Sequence, residues 1–166
     1  MDKNIVLIGM MGSGKTTVGK LLAHRLCRPF VDTDALIEER EGRSIPEIFA
    51  RDGEDAFRAL ELKLARELSG QSGLVIACGG GLPTQAEAIA ALKQNSLVFW
   101  LDRDPGETYD SLNTSHRPLA RSGRDDFIQR YQGRAPIYRN WSDHRICVQS
   151  PQAAETLIFD YLLGSV

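Results

Sequence analysis

The stretch GMMGSGKTT, residues 9–17, decides how this chain folds. It matches the phosphate-binding pattern G-x-x-x-x-G-K-[ST] at every fixed position. The apolar run from Ile5 to Ile8 precedes it, and the stretch from Thr16 to Leu26 after it carries apolar residues at helical spacing. A strand, a glycine loop and a helix in this order are the context in which such a loop binds phosphate.

The residue types of the loop suit a nucleotide. Glycines let backbone N–H groups turn inward around a phosphate, and the N-terminus of the following helix adds partial positive charge. Lys15 is expected to reach the outer phosphates, and the Thr16 hydroxyl to bind Mg²⁺. The other expected nucleotide contacts are Gly12, Ser13, Gly14 and Thr17. The sequence therefore predicts a nucleotide-binding protein.

Composition narrows the possible partners. The chain has 166 residues, 42% of them hydrophobic and 25% charged, and a net charge of −2, which predicts one globular domain over residues 1–166. With this charge we expect neither a nucleic-acid nor a membrane partner. The three cysteines and three histidines are scattered without metal-ligand spacing. With no secretory pattern, reduced cysteines indicate a cytoplasmic protein.

Short apolar runs alternate with helical patterns along the chain, which predicts an α/β fold with a parallel sheet. The predicted strands are Asn4–Ile8, Phe30–Val31, Leu74–Ala77, Leu97–Leu101 and Arg145–Val148.

Several helices have recognisable N-terminal signals. Ser44 with Glu47 and Thr84 with Glu87 both have the spacing of a capping box. Asp104 and Ser150 each stand before a proline that suits the first helical position.

Ligands of parallel sheets bind beyond the carboxyl ends of the strands, which selects two further segments. Asp32 and Asp34 follow the second strand and, in extended geometry, would share a face. One carboxylate would support Mg²⁺ and the other would accept the proton of a substrate hydroxyl, although this pattern is equally typical of a turn or helix cap. Gly79–Gly81 follow the third strand and would admit a ligand close to the backbone, or form a flexible turn.

Two other regions are ambiguous by themselves. Arg58 lies on a predicted helix from about Gly53 to Ser69, with Glu54 and Glu61 at ion-pair spacing, so spacing alone favours a solvated row of charges. The segment 111–124 is polar and basic, which is typical of a surface loop and also of the lid that a phosphotransferase needs.

Taken together, the motifs resemble the shikimate kinase family. They are the phosphate loop, DTD at 32–34, GEDAFRALE at 53–61, CGGG at 78–81, RPL at 117–119 and RAPIY at 134–138. The resemblance runs from about Lys3 to Tyr138. It implies a three-layer P-loop NTPase fold with a five-stranded parallel sheet in the order 2-3-1-4-5 and a mobile lid over about 111–124. It also implies transfer of phosphate from ATP, with Mg²⁺, to the 3-hydroxyl of shikimate in aromatic amino-acid biosynthesis.

The resemblance also implies residue roles on the substrate side. Asp34 would bind the substrate hydroxyl and act as the base, and Asp32 would support Mg²⁺ through water. Arg58 and Arg134 would clamp the substrate carboxylate, since a planar guanidinium suits a planar anion. Gly79–Gly81 would line the same pocket.

On the phosphate side the resemblance implies two catalytic cations. Lys15 and Arg117 would stabilise charge on the transferred phosphate, and Arg117 would also contact the nucleotide from the lid. Glu61 would orient Arg58 from behind.

Three positions depart from the family pattern. Asp110 stands near the place where an arginine usually stacks on adenine, Ala120 replaces a second leucine after RPL, and Trp141 and His144 follow the RAPIY motif.

Two functions are alternatives to shikimate phosphorylation. They are a kinase of another hydroxy acid, such as quinate or gluconate, and a nucleotide-binding module without catalysis. A nucleoside monophosphate kinase fits the Asp34 and Arg58 pair less well. A monomer is the default expectation.

Overall fold

The computed structural model describes residues 2–112 and 123–164. Its five strands form a parallel sheet in the order β2-β3-β1-β4-β5, which confirms the predicted topology. Each predicted strand is present with ends that agree within one residue. The strands are β1 Asn4–Ile8, β2 Phe30–Asp32, β3 Val75–Ala77, β4 Ser96–Asp102 and β5 His144–Cys147.

Helices connect the strands and cover both faces of the sheet. In chain order they are α1 Lys15–Leu26, α2 Thr33–Glu41, α3 Ile45–Asp52, α4 Glu54–Ser69, α5 Ala86–Lys93, α6 Pro105–Ser111, α7 Arg124–Trp141 and α8 Pro151–Leu162, with a 3₁₀ turn at Leu82–Thr84. None of the helices within the described ranges is long and apolar enough to cross a membrane.

The central strand β1 sends alternate side chains into two separate apolar clusters. Val6 and Ile8 join the cluster that includes side chains of α2 to α5 and α7, and Ile5 and Leu7 join the cluster with α1 and α8. All four side chains are at most 1% exposed. Burial of each such side chain contributes about 1.5–3 kcal/mol relative to exposure, so the three-layer arrangement follows from this alternation.

Of the predicted helix caps, Ser44 is confirmed and Thr84 is not. Ser44 Oγ accepts the Glu47 backbone N–H at 3.3 Å and begins α3 as expected. The predicted cap at Thr84 is wrong, because Thr84 ends the 3₁₀ turn and its hydroxyl donates to the Gly81 carbonyl at 2.5 Å. Helix α5 begins after Gln85 instead.

The predicted lid, 111–124, is described only at its two ends. Helix α6 ends at Ser111 and α7 begins at Arg124. Arg117 lies outside the described residues, as does the RPL motif. Asp110 and Arg124 form an ion pair of 3.1 Å between the two helices, so the carboxylate that departs from the family pattern has a cationic partner.

Candidate active site

Three neighbouring strands bring the sequence motifs to one edge of the sheet. Strand β3 lies between β2 and β1, with Ala77 paired to Asp32 on one side and to Leu7 on the other. The phosphate loop, the DTD segment and the glycine run leave the carboxyl ends of these three strands. Their convergence is therefore a consequence of strand order, as expected for a ligand site in a parallel sheet.

The phosphate loop depends on its three glycines, Gly9, Gly12 and Gly14, all of which have positive φ. Gly14 has φ 100° at the start of α1, and a Cβ on Gly9 would lie 2.5 Å from the Leu101 carbonyl oxygen. Within this tight loop Lys15 Nζ donates to the carbonyl oxygens of Gly9 at 2.6 Å and Met10 at 2.8 Å. Burial lowers the pKa of Lys15 to about 8, because packing around the ammonium group disfavours its charge.

The remaining loop residues differ in exposure. Ser13 is buried, whereas Thr17 is exposed on the first turn of α1. Gly12 packs against α6, and its carbonyl oxygen accepts a hydrogen bond from Arg103 Nη1 at 3.1 Å. Arg103 is a contact of the loop that the sequence analysis missed, since it carries no motif of its own.

Thr16 and Asp32 form the part of the site that suits Mg²⁺. Thr16 Oγ1 donates to Asp32 Oδ2 at 2.8 Å, while Asp32 Oδ1 accepts the Ala35 N–H at 3.1 Å and caps α2. The expectation of an extended DTD segment is wrong, because α2 already begins at Thr33. Asp32 therefore is a helix cap and also faces the loop.

This pair of oxygens fits the chemistry of Mg²⁺. The ion prefers oxygen ligands and is usually held by one or two protein groups together with substrate phosphates. Across residues 2–112 and 123–164, no group of three or more His, Cys, Asp or Glu side chains suits a metal ion. A site completed by phosphate oxygens needs no such group.

Asp34 is a partly buried carboxylate of the site. Its Oδ1 atom is buried and has no hydrogen-bond partner among the described residues. A Cβ added to Gly79 would collide with this oxygen. Burial raises the pKa of Asp34 to about 6, the negative charge of Asp32 acts in the same direction, and Lys15 opposes both. The result is a carboxylate with an unusually high proton affinity.

Arg58 forms an ion pair with a buried acid. Its Nη1 donates to Glu61 Oε1 at 2.5 Å, and Gln85 Nε2 donates to the same oxygen at 3.1 Å. Glu61 is fully buried, so the expected solvated row of charges is wrong; only Glu54, 3.2 Å from Arg58 Nη2, is exposed. Burial raises the pKa of Glu61 to about 7, against the effect of Arg58. The guanidinium lies where a Cβ on Gly81 would stand.

A cavity of about 690 Å³ adjoins the phosphate loop. This is a size typical of small-molecule sites. Its polar lining contains all the predicted substrate residues: Asp34, Arg58, Gly79, Gly80, Gly81 and Arg134. Its apolar side includes Phe49 and Phe57, whose rings pack edge to face with centroids 5.1 Å apart. The lining combines two arginines, three carboxylates (Asp34, Glu38 and Glu61) and an apolar side. The arginines suit a small anion, and Asp34 suits a hydroxyl group.

Two further residues around this cavity have contacts that the sequence did not predict. Glu38 lines it and accepts the Ile45 N–H at 2.9 Å, which joins α2 to α3. Tyr138 is fully buried on α7, and its hydroxyl donates to the Gly80 carbonyl at 2.7 Å. Each follows a predicted site residue, Asp34 or Arg134, by four positions, and Tyr138 also ends the RAPIY motif, so helical spacing and that motif were the available signals.

The fold and the two adjoining sites define a P-loop kinase of a small anionic compound. The family model for shikimate kinase matches residues 11–163. The chain belongs to the shikimate kinase family, so the resemblance predicted from the sequence motifs is confirmed. It is an ATP-dependent kinase that uses Mg²⁺.

Individual members of this family match the chain over most of its length. Shikimate kinase of Symbiobacterium thermophilum is 43% identical over 150 residues, which cover 87% of this chain and 86% of the relative. The structure of shikimate kinase from Acinetobacter baumannii in complex with shikimate is 35% identical, with a TM-score of 0.91 over 99% of this chain and 94% of that one. The shikimate kinase of Aquifex aeolicus is also 35% identical, with a TM-score of 0.84 over 97% and 96%.

A gluconokinase from Sinorhizobium meliloti is 15% identical, with a TM-score of 0.57 over 98% of this chain and 96% of that one. At this identity the likeness shows the fold alone.

Proposed function

We propose that this chain transfers the γ-phosphate of ATP to the 3-hydroxyl of shikimate, with the residue roles given below. The observation that carries the proposal is the position of Asp34. Its carboxylate lines the substrate cavity together with Met11 of the phosphate loop. A hydroxyl bound beside Asp34 would therefore lie in a cavity that the phosphate loop borders.

Arg58 and Arg134 bind the substrate carboxylate. Both line the cavity, and they come from α4 and α7. Glu61 accepts a hydrogen bond from Arg58 and is itself held by Gln85. A charged guanidinium whose position is fixed in advance binds a carboxylate with little loss of side-chain entropy. This contact sets the orientation of the ring and hence of its hydroxyl groups.

Asp34 aligns the attacking hydroxyl and accepts its proton. With a pKa of about 6, the carboxylate is ionised at neutral pH but is a stronger base than an ordinary aspartate. A base whose pKa lies near the working pH is the most effective. Phosphoryl transfer depends mainly on alignment and charge neutralisation. The hydrogen bond from the substrate hydroxyl to Asp34 therefore serves to orient the hydroxyl as well as to accept its proton.

The phosphate loop binds the nucleotide. Its N–H groups, between Gly9 and Thr16, and the N-terminus of α1 bind phosphate oxygens, and Lys15 moves its hydrogen bonds from loop carbonyls to phosphate. Thr16 and Asp32 hold Mg²⁺, which neutralises phosphate charge when bound. Arg117, outside the described residues, stays a prediction as the second catalytic cation. Assignment to one domain over residues 1–166, a monomeric state and a cytoplasmic location also stay predictions.

A coupled ADP-release assay tests the proposal. Mg-ATP is combined with shikimate, quinate, gluconate or a nucleoside monophosphate, and the Lys15→Ala and Asp34→Asn variants are compared with the wild type. We expect turnover on shikimate and almost none in either folded variant. Turnover on another acid alone would assign a different substrate. ATP binding without any turnover would favour a non-catalytic module, and near-normal rates in the variants would contradict the residue roles.

A further inference from the structure

Two buried hydroxyl groups form hydrogen bonds with the backbone of the glycine run. The Gly79 backbone N–H donates to Thr33 Oγ1 at 2.8 Å, and the Tyr138 hydroxyl donates to the Gly80 carbonyl oxygen at 2.7 Å. Thr33 and Tyr138 are both fully buried. The two bonds engage adjacent residues of a run that has no side chains of its own, so its position depends on neighbouring elements.

The glycine run lines the substrate cavity and also lies close to the phosphate loop. A Cβ on Gly80 would lie 3.5 Å from the Gly9 carbonyl oxygen, 3.6 Å from Met11 N and 3.3 Å from Arg134 Nη1. Gly79 stands directly against the carboxylate of Asp34. Because the run borders both the phosphate loop and the substrate residues, a small shift of its backbone would change the position of one binding site relative to the other.

Each hydroxyl comes from an element that also carries a substrate residue. Thr33 is the first residue of α2 and directly precedes Asp34. Tyr138 follows Arg134 by one turn of α7, and its hydroxyl also lies 3.7 Å from Met10 Sδ in the phosphate loop. The two hydrogen bonds thus connect the acid, the arginine and the loop through the same pair of peptides.

We infer that Thr33 and Tyr138 are positioning residues for phosphoryl transfer: their hydroxyls fix the Gly79 N–H and the Gly80 carbonyl where the glycine run borders the phosphate loop and the substrate cavity. The inference rests on the proposed function, because it concerns the alignment of that substrate. Neither side chain needs to touch substrate or nucleotide. Misalignment by about 1 Å is enough to lower a rate substantially.

Kinetics of matched variants test the inference. Thr33→Val removes the hydroxyl at similar volume and Thr33→Ser keeps it. Tyr138→Phe removes the second hydroxyl. Tyr131→Phe is its control on the same helix, because the Tyr131 hydroxyl donates instead to Asp102 Oδ1 at 2.8 Å. We expect Thr33→Val and Tyr138→Phe each to lower kcat/KM for shikimate about three- to tenfold, the range for one buried hydrogen bond, with the ATP KM within about twofold.

The controls decide between positioning and general stability. We expect Thr33→Ser and Tyr131→Phe to keep near wild-type kinetics, although both change a packed side chain. Unchanged kcat/KM in folded Thr33→Val and Tyr138→Phe would overturn the inference. An equal rise of both KM values, or an equal loss in Thr33→Ser and Thr33→Val, would also overturn it.

Amide hydrogen exchange provides a reading that needs no substrate. We expect the Gly79 amide to exchange at least about tenfold faster in Thr33→Val than in the wild type, and at the wild-type rate in Tyr131→Phe. Unchanged exchange in Thr33→Val would show that the hydroxyl does not hold this peptide. Absence of wild-type turnover on shikimate would instead contradict the proposed function, so the two failures are distinguishable.

Discussion

The carboxylate of Asp34 lies against the α-carbon of Gly79, with Oδ1 in the space that a methyl group would take. This contact excludes water from one carboxylate oxygen, and that oxygen has no hydrogen-bond donor among the described residues. An ionised carboxylate in such surroundings loses hydration without full compensation. The contact therefore links the shape of the glycine run to the proton affinity of the base.

We expect activity to fall in acid with the titration of Asp34. Because burial raises the pKa of Asp34 to about 6, the ionised form that accepts the hydroxyl proton is lost below that pH. We expect kcat/KM for shikimate to fall about tenfold per pH unit in this range. Burial also raises the pKa of Glu61, to about 7, so Glu61→Gln is the control. An acid limb that disappears in Glu61→Gln would assign the titration to Glu61 instead.

Removal of the Asp34 charge should stabilise the protein while it abolishes transfer. The pKa is 3.8 in the unfolded reference and about 6 when folded, so this group contributes stability below pH 3.8 that is lost as the pH rises through 6. At pH 7.5 we expect Asp34→Asn to raise the free energy of unfolding by about 1–3 kcal/mol. By pH 4 the gain should be near zero. Denaturant titrations at both pH values measure it, and a loss of stability at pH 7.5 would contradict the burial argument.

Arg58→Ala should weaken shikimate binding much more than ATP binding. A hydrogen bond to a charged group contributes about 1.5–3 kcal/mol, so the shikimate KM should rise roughly ten- to a hundredfold with the ATP KM little changed. Arg40→Ala is the matched control, because Arg40 pairs with exposed Glu67 on the surface at 2.7 Å. Equal rises in both KM values for Arg58→Ala would exclude a carboxylate clamp.

Asp32→Asn should raise the Mg²⁺ requirement. Asparagine keeps an oxygen for the Ala35 N–H and remains a good helix cap, so the fold should be retained. The lost charge next to Thr16 weakens support for the cation. We expect a several-fold higher Mg²⁺ concentration for half-maximal rate, on the order of 1 kcal/mol of lost support. Asp55→Asn, at an exposed position of α4, serves as the control; an unchanged Mg²⁺ dependence in Asp32→Asn would remove Asp32 from the metal site.

Gly81→Ala should displace the Arg58 guanidinium without unfolding the chain. The added methyl group collides with the end of a flexible side chain rather than with backbone. We expect a rise of about tenfold in the shikimate KM, comparable to the loss of one charged hydrogen bond. Gly133→Ala adds a methyl group to α7 where no atom lies within 4 Å. It should keep full activity and stabilise the helix by up to about 1 kcal/mol. Equal shikimate KM values for the two variants would contradict the close approach at Gly81.

Predictions from sequence patterns were wrong where the outcome depended on how a side chain is buried. Spacing on α4 predicted that Arg58 and Glu61 would form a solvated ion pair, yet Glu61 is fully buried. Spacing also suggested a cap at Thr84, but that hydroxyl donates to Gly81 within a 3₁₀ turn. In both cases the local pattern is the same for the predicted and observed arrangements, and the difference comes from what packs against the helix.

The sequence by itself determined the phosphate loop, the alternation of strands and helices, and the family to which the chain belongs. These features are local or lie in short motifs, because glycine conformation, helix capping and apolar periodicity act over a few residues. Tertiary structure decided which distant residues meet: Asp34 with Gly79, Arg58 with Gly81, and Tyr138 with Gly80. It also decided the raised pKa of Asp34, since desolvation depends on the packing of elements far apart in the chain.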